Sequence, residues 1–214
     1  MTRSVLNSKL SHFARDDDGA TLVEFAFVIA LVLLMLFGII DFGRLAYHYV
    51  TAEKAMHIAA RIAVVRPAAC PAVPQINVRG NDSGNSVPPR FGTGCSVGAT
   101  VCANPGTISC TATLANPTAS EIWSAVAALL PNHATPANIR LSYTYDSALG
   151  FLGGPYVPVV TMELQNLGFE FVSPLGALAR AAGATPSADL GADIPFPPMS
   201  VSLPAEDLAQ GESG

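Results

Sequence analysis

The chain has 214 residues, half of them hydrophobic and only 13% charged, with a net charge of −5. Average soluble domains carry roughly 25% charged residues, so the deficit points to contact with membrane or with other subunits. From Pro67 onward there are four arginines and no lysine against ten carboxylates, a net of −6; such a surface repels phosphate backbones and excludes a nucleic-acid partner.

Helix breakers divide the chain sharply. All 17 prolines and 15 of the 18 glycines lie at or after Pro67, so long uninterrupted helices are expected only before it. Residues 1–19 form a short polar leader with Arg3, Lys9 and Arg15. Phe25 to Ile40 is then sixteen apolar residues without a charge, and extension back to Ala20 is interrupted only by Thr21 and Glu24. At 1.5 Å per residue this run spans about 30 Å, the thickness of the hydrocarbon core, and predicts a transmembrane helix over residues 20–41. An amphipathic extension follows over 42–66. Phe42, Leu45, Tyr49, Ala52, Met56, Ala59 and Ala63 recur at steps of three and four and share one face. That stripe is expected to pack on the chain's own C-terminal domain, with a partner helix as the alternative, and Pro67 ends the run.

Glu24 stands at the edge of the apolar segment, where an ionisable group costs several kcal/mol and usually marks a function. Gly19, four residues, Glu24, then Phe25 and the hydrophobic stretch is an arrangement that resembles the type IV prepilin signal. The resemblance implies that a membrane aspartyl peptidase on the cytoplasmic side cuts between Gly19 and Ala20. Glu24 then becomes the fifth residue of a mature chain beginning at Ala20, one helical turn from the new α-amino group. The two charges compensate each other at the membrane edge, within one chain or between neighbours. The familiar pilins usually begin with phenylalanine, and this chain departs from them there.

The longer run GATLVEFAFVIALVLLMLFGIIDFGRLAYHYVTAEKAMHIAARIAV is similar to the TadE-like family, pseudopilins of the tight-adherence (Flp) pilus. Gly19, Val23, Glu24, Phe25 and Ala26 match its opening, Gly38 to Arg44 its GIIDFGR-like exit, and Ala59, Ala60 and Arg61 its AAR segment. Pro158 to Leu178 resembles its terminal strand and proline–leucine segment more loosely. The resemblance implies a non-enzymatic, single-pass protein of the bacterial inner (cytoplasmic) membrane with an exported (periplasmic or extracellular) C-terminal domain. Its implied partners are the membrane, prepilin peptidase, other pilins or pseudopilins and the pilus assembly platform, with no small-molecule substrate. The competing membrane readings are a cleaved secretory signal, which has a shorter apolar core, and an unprocessed signal anchor presenting an exported binding or adhesion module. A lipoprotein fails for want of a cysteine directly after the span.

Residues 67–184 read as an exported, cysteine-containing α+β domain. Cys70, Cys95, Cys102 and Cys110 are an even set in a Gly/Pro-rich stretch, as expected of disulfides in an oxidising compartment. Three pairings are open, with free thiols as a rival. No CxxC knuckle and no nearby histidine accompany them, so no metal site is expected. Residues 67–107 should be irregular, with Asn81-Asp82-Ser83 a polar turn that also fits a glycosylation sequon. Ile108, Cys110, Ala112 and Leu114 suggest a short strand, and Thr118 with Glu121 a capping box opening a helix that Pro131 stops. Ile139, Leu141, Tyr143 and Tyr145 alternate with polar residues in the clearest strand. After a glycine-rich turn, Val160, Met162 and Leu164 form its partner, and Phe169 and Phe171 continue that strand or begin another. The tail, residues 185–214, is Pro-rich and expected to be extended or mobile. The fold class expected is α+β, a long N-terminal helix packed on a small antiparallel sheet in the manner of pilins. No catalytic motif or cofactor fingerprint is present; His48 and His57 are nine apart on the long helix, over two turns apart and roughly 90° out of phase, and do not form a site.

Overall fold

The computed structural model describes residues 18–81, 87–169, 171, 194–206 and 208. The leader, most of the Asn81-Asp82-Ser83 turn, and the 172–193 stretch lie outside these residues. The chain falls into two compact units, Met1–Arg44 with Glu170–Ala192, and Leu45–Phe169 with Asp193–Gly214.

Helix α1 is Asp18–Val65, 48 residues. It is uninterrupted because proline is absent, and its two interior glycines after Gly19, Gly38 and Gly43, have open space where a Cβ would sit. Pro67 disfavours helical backbone at Arg66 and ends it. One of its last carbonyls, that of Val64, accepts a 2.8 Å hydrogen bond from the Glu206 backbone N–H, so the tail helps to satisfy this helix end. In the first unit the described part of α1 carries the apolar run, exposed almost throughout.

In the second unit α1 becomes part of a core. Ala52, Ala55, Met56, Ala59, Ala60 and Ala63 are all fully buried, an i, i+3, i+4 pattern wide enough to face a sheet. The expected stripe holds from Ala52 onward, whereas Phe42 and Tyr49 are exposed and Ala55 and Ala60 join the buried face. A stripe that keeps strict steps of three and four is narrower than the surface a sheet covers, so the residues beside it are buried too.

The sheet is antiparallel with strand order β1-β2-β3-β6. Its strands are β1 Thr107–Thr111, β2 Ile139–Thr144, β3 Val159–Leu164 and β6 Met199–Pro204. Ile139, Leu141 and Tyr143 oppose Leu164, Met162 and Val160 in register, and all six point into the cluster that holds the α1 alanines. Helix α2, Pro117–Val126, adds Ile122 and Val126 to it. Fold class is therefore α+β as expected.

Three local readings are corrected. The cap of α2 is Asn116, whose Oδ1 accepts from the Ala119 N–H at 3.0 Å with Pro117 at the first helical position. Thr118 and Glu121 do not form the expected box: Thr118 Oγ1 donates to the Pro67 carbonyl and Glu121 pairs with Arg66. Strand β1 stops at Thr111, and Leu114 is exposed. Of the tail, Met199–Pro204 forms β6 and is paired to β3 along its whole length. Alternation was there to be read, since Met199, Val201 and Leu203 face inward, but the prolines of the region masked it. Pro204 ends an edge strand, where a missing donor costs no ladder bond. Phe169 lies in a separate short pair, β4 Gly168–Phe169 with β5 Ile194–Pro195.

Among the described residues of 70–106 there are isolated bridges but no strand. A small second cluster of Cys95, Val101, Cys102 and Leu152 holds them, with Tyr145 against it. The glycine-rich turn is sterically required at Gly150, where φ is +92° and a Cβ would meet Asn77 Nδ2 at 2.6 Å.

Candidate functional site

The N-terminal segment of α1 holds the residues singled out for processing and assembly. Gly19 and Ala20 fall in the first turn of the helix. Ala20 and Glu24 are four residues apart and so stand on one face, one turn from each other. Glu24 and Phe25 are both exposed. From Leu22 to Ile40 every large apolar side chain is more than 40% exposed. Such a continuous apolar surface far exceeds what soluble monomers leave in water. This is one helix long and apolar enough to cross a membrane, with its most apolar window wholly unburied. The twelve Leu, Ile, Phe and Val residues from Phe25 to Ile40 contribute roughly −4 to −7 kcal/mol on the insertion scale, enough to carry one carboxylate near the end of the span.

At the other end of the run Asp41 is buried, and Arg44 Nη1 lies 3.3 Å from its Oδ1 one turn on. In the sequence Asp41 is the last residue of the expected span and lies inside the Gly38–Arg44 exit, with no pairing expected of it. An Asp followed by Arg at i+3 was the available signal, since that spacing permits a helical ion pair.

The four cysteines pair as Cys70–Cys110 and Cys95–Cys102. The first joins the segment after α1 to β1, and the neighbouring Ala69 N–H donates to the Tyr143 hydroxyl at 3.0 Å. Burial pushes the Tyr143 phenol above its ordinary value, partly offset by that hydrogen bond. Tyr156 is held up at about 12 by burial and by the neighbouring Tyr145, whose ring stacks on it with centroids 6.4 Å apart. Its hydroxyl is buried and has no hydrogen-bond partner among the described residues. Beside it is a cavity of about 110 Å³ bordered by Pro74, Ile76, Val78 and Pro105, among others.

Arg66 donates to both carboxylate oxygens of Glu121 at 2.9 Å, a fork that holds the Glu121 carboxyl below its usual range. His57 and His133 are exposed, and His133 Nε2 lies 2.7 Å from the Gly168 carbonyl. His48 is half-buried, its ring 6.0 Å from that of Phe169. Among the described residues no group of three His, Cys, Asp or Glu side chains could hold a metal ion.

Neither the curated proteins nor the solved structures contain a match to this chain. Residues 19–61, about a fifth of the chain, match the family model described as TadE-like protein, and that match together with the exposed apolar helix fits a membrane protein associated with the Tad pilus.

Proposed function

We propose that the protein is a pseudopilin of a tight-adherence (Flp) pilus or a related secretion apparatus, processed by prepilin peptidase and anchored by residues 20–41. The observation that carries the reading is the order Gly19, Glu24, Phe25 leading into an apolar run whose large side chains are exposed through Ile40, inside the segment that matches the TadE-like model. Residues 1–19 are the leader, removed by cleavage between Gly19 and Ala20. The new ammonium on Ala20 then faces Glu24 one turn on, and the pair lowers the cost of holding either charge at the membrane edge. Residues 42–66 extend the anchor, and 67–184 with the 185–214 tail form the exported part. Two disulfides support an oxidising, exported location in the bacterial inner membrane's outward-facing compartment. The activity is assembly rather than catalysis, in keeping with a family that is in general non-enzymatic. Other pilins or pseudopilins and the assembly platform are the partners.

The test is the intact mass and N-terminal residue of protein purified from native membranes, with and without the peptidase. A chain beginning at Ala20 only when the peptidase is present is expected. A chain still beginning at Met1 or Thr2 with active peptidase overturns the reading and leaves an unprocessed anchor with an exported binding module. Glu24→Ala should spare membrane insertion and impair assembly; normal pilus output at wild-type protein levels counts against the charge-pairing role.

A further inference from the structure

The outward face of the four-stranded sheet is built from short side chains in straight rows. The register places Ser109 opposite Ser142, Ser142 opposite Thr161 and Thr161 opposite Ser202, one hydroxyl per strand across the sheet. The next row reads Thr111, Arg140, Glu163 and Ser200. None of these eight residues is buried. The face holds one positive and one negative charge side by side on its two central strands, in the row at one end. Arg140 and Glu163 are cross-strand partners, but they make no ion pair with each other: Arg140 Nη2 turns instead to Ser109 Oγ on β1, at 3.2 Å.

We infer that this face docks a second copy of the same chain, face to face, through reciprocal Arg140–Glu163 pairs. A two-fold axis parallel to the strands and midway between β2 and β3 lays β2 over the second copy's β3 and β1 over its β6. Each row keeps its level under that rotation. Arg140 meets the second copy's Glu163 and Glu163 meets its Arg140, while Ser142 meets its Thr161. A single-sign pair would repel in this arrangement; an Arg–Glu pair flanking the axis is self-complementary, as an isologous contact requires. Aligned sheets cross at about 30°, which keeps the central strands in contact and splays the edges. Four strands about 4.8 Å apart and five residues long offer about 300 Å² per copy, well below a standard stable interface. The contact is therefore reversible and is populated where copies are concentrated in one membrane. It does not rest on cleavage at Gly19.

The test is the association of the full-length chain in detergent, measured by sedimentation equilibrium across protein concentration. Glu163→Arg turns two attractions into two repulsions and should weaken association about tenfold, the scale of exposed ion pairs. The double swap Arg140→Glu with Glu163→Arg should restore it. A second measurement does not rely on these variants: full-length Ser142→Cys and Thr161→Cys proteins, mixed and treated with a short thiol crosslinker, should give more heterodimer than homodimer of either. Association unchanged by Glu163→Arg, weakened association that the double swap fails to restore, or crosslinks without heterodimer preference each overturn the proposal.

Discussion

Removing the two disulfides one at a time gives a quantitative check on how the second unit is held together. Cys70 and Cys110 are 40 residues apart in sequence, Cys95 and Cys102 only 7. If each bond acts by limiting the unfolded chain, loop-closure entropy assigns about 4 kcal/mol to the first and about 2.4 kcal/mol to the second. For a domain of this size those losses correspond to falls in Tm of about 8–16 °C and about 5–10 °C. Native contacts widen the gap in the same direction. Cys70 follows Ala69, whose N–H is bonded to the buried Tyr143 hydroxyl, and its partner Cys110 lies in β1 against β2. Freeing this link loosens the exit of α1 from the main core and an edge strand together. The Cys95–Cys102 bond belongs to a cluster of four buried residues, so its loss falls mainly on the surrounding loops.

The assay is thermal unfolding of the full-length protein in detergent, followed by near-ultraviolet circular dichroism, for Cys70→Ala with Cys110→Ala and for Cys95→Ala with Cys102→Ala. The first pair should unfold at the lower temperature by several degrees. Equal Tm values, or a reversed order, would refute the loop-entropy account and place the stabilisation in native contacts around the shorter loop. Detection of four free thiols in protein taken from its native compartment would remove its basis altogether.

Tyr143→Phe leaves the buried Ala69 N–H without its acceptor, and should cost about 1–3 kcal/mol in denaturant unfolding with an unchanged m-value. Leu33→Arg, at the middle of the exposed apolar run, adds roughly 3 kcal/mol to insertion, and carbonate extraction should move a fraction of the protein out of the membrane pellet. Tyr143 and Tyr156 are raised in the folded state, Tyr156 to about 12, so the folded chain binds more protons than the unfolded one once pH exceeds the ordinary phenol value of about 10. Their contribution is complete below pH about 10 and is lost as pH rises toward 12; absorbance at 295 nm should show both phenols ionising late, with unfolding beginning in that window. Glu121 is lowered by its Arg66 hydrogen bond, so its smaller contribution is present at neutral pH and lost on acidification through the carboxylate range. Glu121→Gln should remove that acid dependence, and added salt should mimic it, because the pair is exposed.

Much of this fold was legible because its signals are periodic. The absence of proline before Pro67 announced one long helix, and alternation in Ile139–Thr144 and Val159–Leu164 announced two paired strands. What escaped was set by tertiary contact. Asn116 won the cap of α2 because Thr118 is drawn to the Pro67 carbonyl and Glu121 to Arg66, partners 51 and 55 residues away in sequence. Strand β6 was obscured by flanking prolines, although its ladder with β3 satisfies the pattern. Cysteine spacing left three pairings open because loop closure alone discriminates weakly among them. In the candidate site, the apolar run and the carboxylate of Glu24 at its edge could be read from composition, whereas Gly19 stands out only through the resemblance to the type IV prepilin signal. The burial of Asp41 could not, since it depends on what packs around the helix.

The segment shared with the TadE-like family ends at residue 61, inside the buried face of α1, and this boundary has a physical sense. Its first half is large, apolar and exposed, the surface a helix needs when lipid or other helices surround it. Its last ten residues bury Ala52, Ala55, Met56, Ala59 and Ala60 completely while Glu53, Lys54, His57 and Arg61 face solvent. Alanine at four of those five positions lets the helix lie close on a sheet whose own residues, Tyr143, Leu141 and Met162, supply the bulk. A larger side chain there would force the helix away at a cost of about 1–3 kcal/mol, while leaving the exposed run unchanged. One continuous helix therefore carries two separable requirements: an apolar surface near Glu24, and a small-residue surface near Ala59 that fixes the sheet to it. The second explains why so apolar a segment continues well past the length needed to cross a membrane.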